Sequence, residues 1–258
     1  MEICVLASGS KGNCIYVSGG GTALLIDAGL SAKDILQRMD RAGIDKNSVK
    51  SILLTHDHTD HCKGTRVLRE RLQAELFANE GTATALEQRD PKLLSGFTVF
   101  DGGGVFEING LRIEPFQVPH DASDTVGFVL DDGQSRLCVV TDIGQTTSLV
   151  KVKVHDCDTV VVESNHDVEM LRQSQRPWSL IQRIQGRSGH LSNEDAAELI
   201  TETATERLKH IVLAHLSEDC NTPRLARDTM VEALNLIGRG YLPVYVASQS
   251  VIGPRLLF

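Results

Sequence analysis

Three histidines and two aspartates fall close together in the run Thr55-His56-Asp57-His58-Thr59-Asp60-His61, in a chain of 258 residues with nine histidines in all. Imidazole nitrogens and carboxylate oxygens at this density form a ligand set for a divalent cation such as Zn²⁺, Mn²⁺ or Fe. A solvated polar loop is the alternative, but it gives no reason to concentrate a third of the histidines in one place. The apolar residues Ile52-Leu53-Leu54 come just before the run, so these side chains stand at the C-terminal end of a buried strand. Alternation at the strand end lets His56 and His58 face the same way, and the turn that follows carries Asp60 and His61 toward a second point. That spacing suits two metal centres better than one.

Three more candidates also follow apolar strands. They are His120 in Val118-Pro119-His120-Asp121, Asp142 in Val139-Val140-Thr141-Asp142, and His215 in Leu213-Ala214-His215. Singly, each is a weak signal, since a lone strand-end histidine is more often structural. In this order behind the first run, they resemble the ligand motifs of the metallo-β-lactamase superfamily, whose signature is H-x-H-x-D-H. The resemblance covers nearly the whole chain. It implies an α/β fold, a four-layer αββα sandwich with two mixed β-sheets, formed as one domain over residues 1–258. It also implies that His56, His58 and His120 hold one metal, that Asp60, His61 and His215 hold the other, and that Asp142 bridges them. The cysteine of one group of true lactamases is absent from the bridging position.

Two further segments narrow the chemistry. Gly189-His190-Leu191-Ser192 leads into Asn193-Glu194-Asp195-Ala196-Ala197, and resembles the G-H-S-T-x-x-x-A-A stretch of ribonuclease Z and related phosphodiesterases. Glu163-Ser164-Asn165 resembles the Glu-Ala-Thr segment of the same enzymes. The resemblance implies that His190 contacts the scissile phosphate and that Glu163 partners it, although Leu191-Ser192 and Ser164-Asn165 depart from that pattern. A position just ahead of a helix capped by Ser192 or Asn193 is the structural alternative for His190. Between the two segments, residues 170–193 hold Arg172, Arg176, Arg183, Arg187 and the single tryptophan, Trp178, with no Asp or Glu. The stretch reads either as a phosphate-backbone surface or as a solvated helix face with Trp178 in the core. The segments Leu6-Ala7-Ser8-Gly9-Ser10-Lys11-Gly12-Asn13, Glu163-Ser164-Asn165-His166-Asp167 and Gly189-His190-Leu191-Ser192 resemble the YycJ/WalJ-type branch of the superfamily. That branch implies a bacterial cytosolic 5′-to-3′ exonuclease with a repair role, and DNA ahead of RNA as partner. Asn13 and His166 join His190 and the arginine stretch as candidate substrate contacts.

The reaction expected from these parts is attack on phosphorus by a hydroxide shared between two metals. Asp60 positions the water, and His190, oriented by Glu163, acts on the leaving side. A glyoxalase-II-like thioesterase or a PhnP-like cyclic phosphodiesterase shares the ligand set, but a thioesterase has no need of the His190 and Glu163 segments. Retention of the full ligand series argues against a metal-binding protein without turnover.

The elements that must position these residues are legible in outline. Strands are expected at 3–7, 14–18, 22–27, 51–54 and 75–78, and strands dominate 97–141. Helices are expected at 31–42 with Ser31 as N-cap, at 61–72, and near 146–153. Strands at 158–162, 210–214, 244–247 and 254–257 then alternate with helices at 192–204 and 222–237, the pattern of sheets covered by helices. Composition is that of a globular protein, with 41% hydrophobic and 23% charged residues. A net charge of −8 excludes a protein that coats nucleic acid generally, but allows a local basic groove beside bound cations. The six cysteines include no C-x-x-C pair and read as small buried hydrophobes of a reducing cytoplasm. No apolar run is long enough to span a membrane, and the start reads as a strand and turn rather than a signal peptide.

Overall fold

Alternation of apolar side chains explains the layering. In the strand Thr22–Ile26, Ala23 and Leu25 enter one hydrophobic cluster and Leu24 and Ile26 another. In Arg136–Val140, Leu137 and Val139 join the cluster of Leu24, whereas Cys138 and Val140 face a third. Both strands are therefore apolar on both faces, and each sheet is covered on both sides.

The computed structural model describes all 258 residues. The first half holds β1 (Glu2–Ala7), β2 (Cys14–Gly19), β3 (Thr22–Ile26), α1 (Ala32–Arg41), β4 (Val49–Leu53), α2 (Thr59–Cys62), α3 (Thr65–Leu72), β5 (Glu75–Asn79), α4 (Glu80–Arg89) and β6 (Phe97–Phe100). The second holds β7 (Phe106–Ile108), β8 (Leu111–Gln117), β9 (Val126–Asp131), β10 (Arg136–Val140), α5 (Ser148–Val154), β11 (Thr159–Glu163), α6 (Val168–Gln173), α7 (Trp178–Ile184), α8 (Asn193–Thr203), β12 (His210–Ala214), α9 (Pro223–Leu236), β13 (Val244–Val246) and β14 (Leu256–Leu257). The first sheet has the order β14-β1-β2-β3-β4-β5-β6, and the second β13-β12-β11-β10-β9-β8-β7. Both are mixed seven-stranded sheets. One cluster packs α1, α3 and α4 on the first sheet, a second fills the space between the sheets, and a third packs α5, α8 and α9 on the second sheet. The result is the expected αββα sandwich.

The site lies where strands end. β10, β11 and β12 run parallel, with Val140 opposite Val162 and Val162 opposite Leu213, so Asp142, Glu163 and His215 leave three neighbouring strands at one edge.

The structure corrects the expected elements in three places. The helix expected over 61–72 is two helices, α2 and α3, broken at Lys63-Gly64. There the Gly64 N–H donates to Ala28 O at 2.7 Å, and a Cβ on Gly64 would stand 2.3 Å from Leu30 O. That close approach diverts the chain. Helix α4 was not expected, although Asn79 caps it through Thr82 N; its apolar residues Ala83 and Leu86 make too short a stripe to stand out. The arginine-bearing stretch 170–193 contains α6 and α7, which share a small cluster of Leu171, Ile181 and Ile184 with Cys220. All six cysteines are buried and free, as expected. No helix is long and apolar enough to cross a membrane.

Candidate metal centre

The histidines of the first run converge with residues far along the chain. Ligand-capable atoms of His56, His58 and His120 form one group within 4.8 Å, and those of Asp60, His61 and His215 form another. His56, His61 and Asp142 form a third, so Asp142 lies between the first two.

The outward nitrogen of most of these rings is already engaged. His61 Nδ1 donates to Asp27 Oδ2 at 2.8 Å, and His215 Nδ1 donates to Glu163 Oε1 at 2.7 Å. His120 Nδ1 donates to Gly189 O at 3.1 Å. The Thr55 hydroxyl donates to Asp27 and stands 2.9 Å from His56 Nδ1, which donates to it. These partners set the tautomer and leave each Nε2 lone pair aimed at the shared centre. His58 is turned the other way, with its Nδ1 3.3 Å from His120 Nε2.

The donor set can be tested against a cation. His56 Nε2, His215 Nε2 and Asp142 Oδ2 are buried without a hydrogen-bond partner. Buried polar atoms are ordinarily satisfied, and three orphans converging on one place are what a cation would satisfy. His61 Nε2 stands 3.1 Å from Asp142 Oδ2. Burial disfavours the imidazolium, but the charges of Asp142 and Asp27 outweigh it and raise the pKa of His61 well above its ordinary value. His215 is likewise opposed by burial but pushed up to about 10 by Asp142, Asp60 and Glu163. Asp142 is held well below the usual carboxylate range: burial opposes its ionisation, and the His215 and His61 charges overcome that. The residues therefore fit metal ions of the type that imidazole and carboxylate bind.

Backbone strain accompanies the site. Asp27, Asp142 and His215 have φ of 63°, 55° and 54°, a left-handed conformation that non-glycine residues seldom adopt. Gly29 shows the closest approach, because a Cβ there would stand 1.6 Å from the carbonyl of Asp60. That allows the Asn13 N–H to donate to Asp60 O at 2.8 Å, while the Gly29 N–H donates to Asn13 O.

Beside the centre, Glu163 Oε1 accepts from His190 Nδ1 at 2.8 Å as well as from His215. Its Oε2 accepts from Ile143 N and Leu191 N at 2.9 and 3.2 Å. Burial resists ionisation of Glu163, but the His190 charge and hydrogen bond, with those of His215, bring it down to about 2. His190 is raised above its ordinary value because Glu163 outweighs the cost of burial. Its ring centroid is 5.1 Å from that of His120 and 5.2 Å from that of His215. Helix α8 begins three residues later, with a capping box between Ser192 and Asp195, so His190 does stand just ahead of a capped helix.

The remaining candidates divide. Arg172 and Arg187 are exposed, Arg183 pairs with Asp121 at 2.5 Å, and Arg176 pairs with Asp219 at 3.1 Å. Trp178 is 64% exposed at the start of α7, not in the core. Two candidate substrate contacts are displaced inward. His166 is only 2% exposed, held between the end of β11 and Ser192, and Asn193 N donates to its carbonyl. Asn13 is also buried; its Oδ1 accepts from Gly9 N, and its Nδ2 lies 3.0 Å from His61 Nε2. Both are placed to support the site rather than to meet a strand of nucleic acid.

Sequence reasoning missed Asp27, Ser8 and Asn165. The Ser8 hydroxyl accepts from His215 N at 2.7 Å, and Asn165 Nδ2 donates to His215 O at 2.9 Å. Asp27 carried a usable signal, since it follows the apolar strand Ala23-Leu24-Leu25-Ile26 just as Asp142 follows β10.

Fold and site together define a metal-dependent hydrolase. A model of the β-lactamase superfamily domain matches residues 22–215. The exodeoxyribonuclease YycJ of Bacillus anthracis is 38% identical over 246 residues, covering 93% of this chain and 91% of that one. The exodeoxyribonuclease WalJ of Streptococcus pneumoniae is 38% identical over 237 residues, covering 89% and 87%. The crystal structure of Zn²⁺-bound PqqB from Methylobacterium extorquens superposes with a TM-score of 0.72 at 20% identity, over the full length of both chains. The chain belongs to the metallo-β-lactamase superfamily.

Proposed function

We propose that the protein is an exodeoxyribonuclease that degrades DNA in the 5′-to-3′ direction, uses two divalent ions of the Zn²⁺, Mn²⁺ or Fe type, and serves DNA repair in the cytoplasm. The observation that carries the phosphodiesterase reading is the pair His190–Glu163. A buried carboxylate fixes Nδ1 of a half-buried histidine, so that its Nε2 is left to act beside the candidate metal ligands. The choice of DNA follows from the names borne by the YycJ and WalJ relatives.

His56, His58 and His120 would hold one ion, Asp60, His61 and His215 the other, with Asp142 between. Bound there, the ions supply Lewis acidity toward a phosphoryl oxygen and toward water. Asp60 keeps a quarter of its side chain exposed, more than Asp142 or Glu163, and so orients a water at the open side of the centre. His190, kept protonated by Glu163, donates from Nε2 to the oxygen of the leaving strand. A thioester has a weakly basic sulfur leaving group and needs no such proton.

The test is digestion of single- and double-stranded DNA and of RNA, labelled at the 5′ or the 3′ end, with Zn²⁺ or Mn²⁺ added and a glutathione thioester as control. Release of nucleotides first from the 5′ end of DNA is expected. Hydrolysis of the thioester alone would overturn the reading.

A further inference from the structure

The loop that follows His215 carries two acids, and each reaches across to a cation on another part of the rim. Glu218 Oε2 is 2.6 Å from Nζ of Lys11, in the loop after β1. Asp219 Oδ2 is 3.1 Å from Nη2 of Arg176, between α6 and α7. A third pair repeats the arrangement, with Asp121, next to His120, bound to Arg183 of α7. In each pair the carboxylate follows a candidate metal ligand in the chain, and the cation comes from a surrounding element. Three of the four side chains are open to solvent, 70% and 48% for Lys11 and Glu218 and 78% for Asp219, and Arg176 is partly covered at 29%. Exposed ion pairs of this kind contribute little to stability. The fold therefore does not depend on them, and a phosphate oxygen could replace a carboxylate oxygen at little cost.

We propose that Glu218 and Asp219 are internal counter-ions: in the free enzyme they occupy the places on Lys11 and Arg176 that backbone phosphates of the nucleic acid take when it binds. The inference rests on the nuclease reading above and assigns its phosphate contacts and their regulation. Three observations support the exchange. A chain with net charge −8 would repel a polyanion unless its rim cations were available. Those cations are held by acids of the loop that follows His215, not by acids of their own segments. Both acids stand side by side at the exposed tip of one loop, between buried Ser217 and Cys220, so two side-chain rotations free two cations without moving the loop. Held this way, the rim attracts a polyanion weakly until the strand engages both cations, and the carboxylates return to help release the product.

The experiment measures kcat and KM of the metal-loaded enzyme on a single-stranded DNA oligonucleotide across a salt series. In the Glu218→Gln/Asp219→Asn variant, KM should fall about threefold to tenfold with kcat unchanged or lower. The plot of log KM against log salt should steepen by roughly 1 to 1.5, since each phosphate contact on a single strand releases about 0.7 of a cation, and in the wild type the two freed carboxylates take cations up again. Lys11→Gln alone should raise KM, and Glu218→Gln should give no gain in a Lys11→Gln background. Glu107→Gln, the same charge change as Glu218→Gln alone but on the edge strand β7, should leave KM as it is. Unchanged KM and slope in the double variant would overturn the proposal, as would an equal fall in KM with Glu107→Gln. A wild-type enzyme that hydrolyses no DNA would overturn the nuclease reading with it, whereas DNA hydrolysis with an unchanged double variant removes the counter-ions alone.

Discussion

Asp27 Oδ2 lies 2.8 Å from His61 Nδ1, and both side chains are buried. Asp27 also accepts from the backbone N–H and the hydroxyl of Thr55, which in turn accepts from His56. One carboxylate thus orients two candidate ligands from opposite ends of the first motif. Carboxylates behind ligating histidines fix the ring and raise its basicity. Asp27→Asn should lower metal affinity about 10- to 100-fold with the fold intact, as measured by metal titration and circular dichroism. Unaltered affinity would remove Asp27 from the site.

His190 stands outside the candidate ligand set, so its loss should separate chemistry from metal binding. His190→Ala should lower kcat about 10²- to 10⁴-fold while metal content stays at the wild-type level. Full activity in the metal-loaded variant would exclude the assigned role.

Glu163 raises the pKa of His190, so an activity that needs the imidazolium persists at low pH and declines as pH rises through that pKa. Glu163→Gln removes the charge that favours the imidazolium, and the alkaline limb of the pH–rate profile should move to lower pH. Movement to higher pH, or none, would contradict proton donation by His190.

Metal ions and protons should compete. In the metal-free protein His61 is raised well above its ordinary value and His215 to about 10, so both are protonated at neutral pH. Metal uptake must release those protons, and affinity should rise with pH until the two rings are neutral. A pH-indicator titration in weak buffer should show acidification as Zn²⁺ or Mn²⁺ is added. Binding without proton release would show that these rings are not the ligands.

Gly29→Ala would place a methyl group against the carbonyl of Asp60. Overpacking of this sort costs roughly 1–3 kcal/mol, and here the strain falls on a candidate ligand. The variant should lose stability to urea and also metal affinity. A variant that lost neither would show that the Gly29–Asp60 contact relaxes freely.

The metal centre was the most legible part of the sequence because strand ends are readable. Each of His56, Asp142 and His215 follows a run of apolar residues long enough to be a buried strand, whereas His120 follows β8, in which apolar and polar residues mix. Asp27 follows the same rule and escaped notice because a lone aspartate two residues ahead of a glycine, in Asp27-Ala28-Gly29, also reads as a turn. His166 shows the converse. Its neighbours in the chain mark it as part of a motif, but whether a histidine at a strand end faces solvent or core depends on what packs over it. Here the start of α8 covers it, a contact between segments that composition and periodicity do not encode. The helices of 170–193 were hidden for a similar reason, since their apolar stripe is narrow and closes on Cys220 from a distant loop.

The three parallel strands that present Asp142, Glu163 and His215 belong to one sheet, and the run from His56 to His61 belongs to the other. An ion shared by His56 or His61 with Asp142 or His215 is therefore a cross-link between the two halves of the sandwich. A ligand that binds only the folded state stabilises it by about 4 kcal/mol at a thousandfold excess over Kd. Chelation would then remove a cross-link as well as the chemistry, and the fold would rest on the apolar cluster between the sheets alone.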